Sequence, residues 1–571
     1  MEKCEFCNGS APFKCTACKS VNYCSVEHQK KHWPKHKHLC RPFKVEQSKE
    51  LGRYLIATRD IPAKSILFVE PPLVIGPKWC MNDDEKISTL FPCVGCFKPI
   101  PINLHRCLKC FWPICGENCS GLRDPNMHGI ECMILSLKRG PSQNADLKTL
   151  CNFYRSDCLL TLRCLLLQSN YPDRWAKVNQ LESHDQQRLG TRYYHEADER
   201  IVSFLVNNFW SAIDEIEQKM NNKIVQNRDK RLLHRICGIM EVNALNIGLN
   251  HSEHQQEVSA LFENACILEH SCMPNCYYTF DTKRNYKITM RSGRLIKKDE
   301  HLAIMYTHML WGTQMRQEHL LTNKYFVCKC ERCLDATELG TYISALKCIG
   351  DIGKSCNGIL LPKNPIDITT DWFCNECDVS ISNEQIEIVL TNIEQEVDDL
   401  LMPSVSRIDQ SSITPQTFET LITKLSHLMH ENHYHMFALK HTLIQFYGHK
   451  PNFMHNELSN EILQSKLQLC GRLLFILDRI DPNTMRLTLY TAIVLYELHS
   501  VILEQNRRSK ANGREQIDDI DVLKRAQQYL QRGKEALALN ADITQGQKLL
   551  KTFDMAEMEL IQLLQKQKIT S

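Results

Sequence analysis

Thiols and imidazoles dominate the chemistry this chain can carry. Thirteen of its 29 cysteines fall twice into one rhythm, four close pairs of which the last joins a His to a Cys. The first run is Cys4, Cys7, Cys15, Cys18, Cys24, His28, His36 and Cys40, and the second is Cys93, Cys96, Cys107, Cys110, Cys115, Cys119, His128 and Cys132. A C-x2-C pair places two thiolates on one tight turn, half of the tetrahedral shell that a structural Zn²⁺ takes. Eight ligands in four pairs predict two metals per module. Cross-bracing predicts that the first and third pairs share one ion and the second and fourth pairs the other, so that metal rather than an apolar core holds the module.

Two further sets follow. Cys328, Cys330 and Cys333 leave a tetrahedral ion one ligand short, and Cys272, in Glu269-His270-Ser271-Cys272-Met273-Pro274-Asn275, is the nearest well-placed fourth. Cys348, Cys356, Cys374 and Cys377 form another shell, although seven residues separate the first two; buried free thiols are the alternative there. The expected total is about six zinc ions, the sum over these sets.

Composition sets the surroundings. No apolar stretch follows Met1-Glu2-Lys3, so no secretory signal is expected and the thiols should stay reduced, in the cytoplasm and/or nucleus. The most apolar segment, Leu159 to Leu167, is interrupted by Arg163 well short of the ~18 residues a membrane span needs, so no membrane partner is expected. A net charge of +3 over 571 residues argues against a globally basic nucleic-acid binder. Locally, His28 to Lys44 carries Lys30, Lys31, Lys35, Lys37, Arg41 and Lys44 and no acidic residue. Direct nucleic-acid contact stays open there but is not favoured over a solvated helix face.

The elements that must position these residues change character along the chain. Leu51 to Ile75 reads as short strands broken at Pro-Ala-Lys and Pro-Pro, and strand signals resume from Asn275 to Tyr306. From about Leu147 to Leu249 apolar residues take helical spacing, as at Ile201, Phe204 and Leu205. After Asp378 the pattern predicts helices near 384–402, 415–430, 434–447, 456–480, 485–506, 518–539 and 544–566, stacked as hairpins without a strict repeat. The fold class is therefore multidomain α+β.

Five segments carry a resemblance. GRYLIA from Gly52, VNALNI from Val242, EHSCMPN from Glu269, Tyr306, and KYFVCKCERC from Lys324, in that order around the second cysteine module, resemble the SMYD family of SET-domain lysine methyltransferases with a MYND zinc finger. The extra N-terminal module, the Cys348 to Cys377 set and the Glu of EHSC look more like the divergent arthropod (SmydA-like) branch than like the familiar vertebrate members. The resemblance implies an N-terminal MYND finger over 1–44 and a β-rich SET domain with a knot-like crossing over 45–335. A second MYND-type module (93–132) and a helical insert (about 141–250) split that domain, and a post-SET zinc tail (326–335) closes it. A Cys-rich zinc segment (336–380) and an all-helical, TPR-like domain (381–571) complete the chain.

For function, the resemblance implies an S-adenosylmethionine-dependent protein-lysine N-methyltransferase acting on histone or non-histone protein in transcriptional regulation. It implies cofactor contacts at Gly52, Arg53, His184, Asn243, Glu269, His270 and Phe326, and a catalytic tyrosine, Tyr306, lining a lysine channel. Implied partners are a protein substrate bearing the target lysine and proline-containing peptides or corepressors at the MYND modules, the chain itself being a monomer. Two positions depart from the family pattern. Tyr54 stands where the family has the second Gly of a GxG turn, bringing bulk near a close backbone approach. Glu269 stands for Asn, an acceptor-only carboxylate that either pairs with the cofactor's ammonium or blocks its pocket. The alternative is thus a catalytically inactive SET/MYND scaffold that binds partners through its zinc modules.

Overall fold

The computed structural model describes residues 3–15, 21–37, 40–78, 90–251, 254–282, 285–351, 354–402, 413–511, 519–538 and 544–570. The chain divides into two compact units, one of Met1–Glu269, Tyr278–Ser292 and Ile296–Leu302, the other of His270–Tyr277, Gly293–Leu295 and Ala303–Ser571. No described helix is long and apolar enough to cross a membrane.

The first unit begins with a small satellite, the strands Phe13–Lys14 and Asn22–Tyr23 and the helix Val26–His36, whose start is capped by the Ser25 side chain accepting from the His28 amide. Among the described residues its core is small, Cys4, Ala11, Cys15, Tyr23 and Cys40, with Val21 and Cys24 packed against it. Strands Phe43–Ser48 and Gly52–Ala57 then pair antiparallel, Ser48 opposite Gly52 and Glu46 opposite Tyr54. Gly52 has φ +67°, a conformation that side chains disfavour, so this turn needs its glycine even though Tyr54 replaces the next one. Ile66–Glu70 pairs with Lys287–Ser292, and Val74–Pro77 pairs with His254–Leu261.

Helix Cys158–Asn170 runs through the middle of this unit with every residue from Cys158 to Gln168 buried. It passes so close to the strand Val74–Pro77 that a Cβ on Gly76 would lie 2.8 Å from Leu160 Cβ. Arg163, the break in the apolar run, is fully buried here. It donates to the Ile75 carbonyl at 2.8 Å, to the Val94 carbonyl at 2.9 Å and, through Nε and Nη2, to both oxygens of Glu131 at 2.8 and 2.7 Å. One guanidinium thereby ties the helical insert to a β-strand and to the embedded cysteine module.

The helical pattern anticipated to Leu249 stops earlier. Helix Lys230–Asn243 ends there, and Leu245–His251 is a strand paired antiparallel with His254–Leu261 from Leu245↔Ala260 to His251↔His254. Leu245 and Ile247 alternate with polar or small residues, and a strand partner close by in sequence outweighs the helical spacing.

In the second unit, helix Thr313–Lys324 and the short turn Glu331–Leu334 precede a four-stranded antiparallel sheet. Its strands are Leu346–Lys347, Ile359–Pro362, Trp372–Cys374 and Ser380–Ile381, paired in chain order. Leu346, Leu360 and Trp372 from the sheet share a core with Ile386, Val397 and Phe418 from the helices that follow. Those helices are Asn383–Leu401, Pro415–Leu425, Tyr434–Phe446, Asn460–Ile480, Thr488–Ala511, Asp519–Ala538 and Thr544–Thr570. The first opens with a capping box between Ser382 and Gln385, and Leu523, Ala526, Leu530, Phe553 and Leu560 form the apolar seam of the last pair.

Candidate functional site

The cysteine and histidine sets assemble as cross-braced pairs. Cys4, Cys7, Cys24 and His28 meet, as do Cys93, Cys96, Cys115 and Cys119, then Cys107, Cys110, His128 and Cys132, with all four donor atoms of each set within 4.8 Å. Cys272 joins Cys328, Cys330 and Cys333, and Cys348 joins Cys356, Cys374 and Cys377 under the same limit. A tetrahedral ion with Zn–S of ~2.3 Å sets its sulfurs about 3.8 Å apart. The structure has Cys7–Cys24 at 3.7, Cys93–Cys119 at 3.8, Cys96–Cys115 at 3.7, Cys107–Cys132 at 3.8, Cys348–Cys377 at 3.6 and Cys356–Cys374 at 3.7 Å. These spacings are far beyond a disulfide's ~2.05 Å and fit Zn²⁺. In the remaining set, Cys15 and Cys40 sulfurs lie 3.7 Å apart and His36 is buried in the last helical turn; Cys18 lies outside the described residues.

The two modules are anchored differently. In the embedded one, the ligand His128 gives Nε2 to the cysteine side, 3.3 Å from Cys110 Sγ, while Nδ1 lies 3.2 Å from Glu131 Oε1, the carboxylate that Arg163 holds. Tyr286 also donates its hydroxyl to the Cys96 carbonyl at 3.1 Å. The N-terminal module is tied to the following strands through Arg59, which donates to the Lys37 carbonyl at 2.7 Å, and keeps Phe6, Phe13 and Trp33 46%, 57% and 43% exposed.

Four of the cofactor-type residues gather in the first unit around the loop that follows helix Pro172–Asn179. Arg53, beside Gly52, donates to the side-chain oxygen and the carbonyl of Gln180 at 3.2 and 3.1 Å. Asn243, at the end of its helix, donates to the Glu182 carbonyl at 2.7 Å. His184 sits between, in the left-handed conformation at φ +49°, and burial lowers its pKa. Burial would raise Glu182, but the Ser183 and His184 amides, each 3.1 Å from its Oε1, bring it down instead. Glu269, in the same unit, is not isolated: its Oε2 lies 2.5 Å from His301 Nδ1, and the His301 ring stacks on Tyr54. Nothing in the local sequence around His301 marked it, since strand pairing brings it from a distant part of the chain.

The second unit holds His270, Tyr306 and Phe326 together. The Tyr306 amide donates to His270 Nδ1 at 2.9 Å, which leaves the ring proton on Nε2, 3.3 Å from Cys272 Sγ. Ring centroids separate His270 from Tyr306 by 5.2 Å and from Phe326 by 5.9 Å, and Lys324 Nζ lies 5.8 Å from the Tyr306 ring centre. Behind Cys272, the buried Arg316 donates Nε to its sulfur at 3.2 Å and Nη1 to Glu338 at 2.7 Å; Arg332 donates to the same carboxylate at 3.0 Å. Burial alone would raise Glu338, but the two guanidiniums hold its carboxyl down to about 2. Sequence reasoning missed this layer, because Arg316 and Arg332 look like ordinary surface charges until their burial is known.

Comparison with known proteins agrees with the residue patterns. A family model described as MYND finger matches residues 4–40, and one described as SET domain matches residues 52–307. Together they cover just over half of the chain. Over 338 residues the chain is 28% identical to the Drosophila melanogaster SET domain-containing protein SmydA-8, isoform A, covering 58% of this chain and 64% of that protein. It is 22% identical over 453 residues to the Arabidopsis thaliana histone-lysine N-methyltransferase ASHR1, covering 77% and 83%. With the Mus musculus histone-lysine N-methyltransferase Smyd1 it shares 24% over 316 residues, covering 53% and 57%. The chain thus spans just under two thirds of the length of SmydA-8.

Proposed function

The chain belongs to the SMYD family of SET- and MYND-domain proteins, and from that premise we propose that it is a protein-lysine N-methyltransferase using S-adenosylmethionine. The observation that carries the reading is Tyr306, at the end of the SET match, with its amide bonded to His270 and its ring beside Phe326 and Lys324. Gly52, Arg53, His184, Asn243, Glu269, His270 and Phe326 would hold the cofactor, whose sulfonium supplies the methyl group. The residues contribute alignment and exclusion of water, because in-line transfer needs a neutral, dehydrated amine on a fixed approach. In this reading the Tyr306 hydroxyl accepts an N–H of the substrate lysine and leaves its lone pair aimed along the transfer line.

The substrate is a protein, histone or non-histone, and the setting is cytoplasmic or nuclear, with transcriptional regulation suggested by relatives named as histone-lysine methyltransferases. Partner capture, of proline-containing peptides or corepressors, falls to the MYND modules, of which the N-terminal one keeps Phe6, Phe13 and Trp33 exposed and the embedded one Leu104, Leu108 and Phe111. The scaffold alternative loses ground on one point: the Glu269 carboxylate has a hydrogen-bond partner in His301, so it does not sit in its place without a polar contact. The test is incubation of the zinc-loaded full chain with methyl-labelled cofactor and a cell extract. Label on protein lysine that Tyr306→Phe abolishes supports the enzyme; no label, and no heat on titration with cofactor, leaves the scaffold.

A further inference from the structure

The two departures from the family pattern, Tyr54 and Glu269, meet on one imidazole. His301 Nδ1 lies 2.5 Å from Glu269 Oε2, and its ring stacks on Tyr54 with centroids 4.7 Å apart and planes 13° from parallel. Backbone pairing brings them together. Ile56 bridges His301 antiparallel, the Leu302 amide donates to the Leu55 carbonyl at 2.8 Å, and the Glu269 amide donates to the Leu302 carbonyl at 3.3 Å. Tyr54, two residues before Ile56 on the same strand, is thus a diagonal neighbour of His301, within reach of an aromatic side chain. Its ring is committed to the imidazole, so bulk at this position does not by itself close the Gly52 turn.

We propose that Tyr54, His301 and Glu269 form one acceptor for the ammonium group at the amino-acid end of the cofactor. Glu269 Oε1 is the acceptor, and His301 and Tyr54 are positioning residues. The assignment rests on the methyltransferase reading and deepens it by naming how this chain replaces the family's Asn. The Glu269 side chain is 19% exposed, so it is neither sealed in the core nor free in solvent. His301 occupies Oε2 and fixes the carboxylate rotamer, while Oε1 remains for a ligand. An acceptor-only group cannot serve a donor-seeking ligand atom but suits an ammonium with its three N–H donors, and a bond charged on both sides is stronger than amide to ammonium. His301 holds that geometry in advance, and the near-parallel stack on Tyr54 restrains the imidazole in turn.

The test uses titration calorimetry on the zinc-loaded full chain with two probes, S-adenosylhomocysteine, which carries the ammonium, and 5′-methylthioadenosine, which lacks the whole amino-acid end. Glu269→Gln should weaken S-adenosylhomocysteine roughly 10- to 100-fold, the worth of a charge-assisted bond, and leave 5′-methylthioadenosine unchanged. Glu269→Asn should do the same and stands in if the Gln variant melts early. His301→Gln should weaken the first probe about 3- to 10-fold and add nothing in the Glu269→Gln background, because the two act as a unit. Equal or tighter binding by Glu269→Gln, or additive effects of the two substitutions, overturns the assignment. So does a wild-type chain that binds 5′-methylthioadenosine but not S-adenosylhomocysteine. A wild-type chain that binds neither overturns the methyltransferase reading along with it.

Discussion

His270 joins a metal ligand to the proposed catalytic tyrosine, and its two nitrogens can be removed one at a time. Nδ1 accepts from the Tyr306 amide at 2.9 Å and Nε2 faces Cys272 Sγ at 3.3 Å. Asn places an oxygen near the Nδ1 position and Gln places an amide nitrogen near Nε2, so His270→Asn keeps the acceptor for Tyr306 and His270→Gln keeps the donor to the thiolate. A buried donor that loses its acceptor costs about 1–3 kcal/mol. If that cost appears as misplacement of Tyr306, at ~1.4 kcal/mol per factor of ten, methyl transfer falls roughly 5- to 150-fold in the Gln variant and little in the Asn variant. The thiolate arm predicts the reverse order for metal, with zinc affinity about 10- to 100-fold weaker in the Asn variant, as for other outer partners of metal ligands. His270→Phe keeps the ring contacts to Phe326 and loses both arms. The assays are turnover with labelled cofactor, competition for zinc against a chelator, and amide exchange at Tyr306, which should quicken in Gln and Phe but not in Asn. Turnover retained by Gln and lost by Asn, or the same zinc affinity in both, refutes the link.

Four further outcomes follow from the structure. Elemental analysis should return six zinc ions for the six ligand sets, and fewer than five would refute the cross-braced pairing; Cys15→Ser should leave the main melting transition nearly in place while Cys107→Ser lowers it, because only the second module is locked to Arg163 and Tyr286. Arg163→Met strands the buried Glu131 carboxylate and should cost about 3–5 kcal/mol, read as a lower urea midpoint, and an unchanged midpoint would show the pair to be dispensable. Burial pushes His435, His441 and His499 down to about 4 from 6.5, so the unfolded chain takes up their protons first: stability is complete above pH 6.5 and is lost as pH falls toward 4, by up to ~1.4 kcal/mol per pH unit per group, and a helical domain equally stable at pH 7 and 4.5 would contradict it.

What the sequence disclosed and what it withheld divide by range. Ligand pairs such as Cys93 and Cys96, and helices such as Asn383–Leu401, expected near 384–402, are legible because a turn or a helical period fixes them within a few residues. The helical spacing that starts near Leu147 runs on to Leu249, past the end of helix Lys230–Asn243, and only pairing with His254–Leu261 decides that Leu245–His251 is a strand. Arg163 looked like an interruption in an apolar run; its acceptors, Ile75, Val94 and Glu131, lie in three other segments, and none of them is predictable from periodicity. The same limit explains the cofactor-type residues. Read one position at a time, Tyr54 and Glu269 are two separate losses, a missing glycine and a missing amide. The pairing of Ile56 with His301 makes them neighbours of a single imidazole, so each substitution accounts for the other: the carboxylate needs the imidazole, and the imidazole is held by the ring. A compensation of that kind is a property of the sheet, and it becomes visible only when the strand register is known.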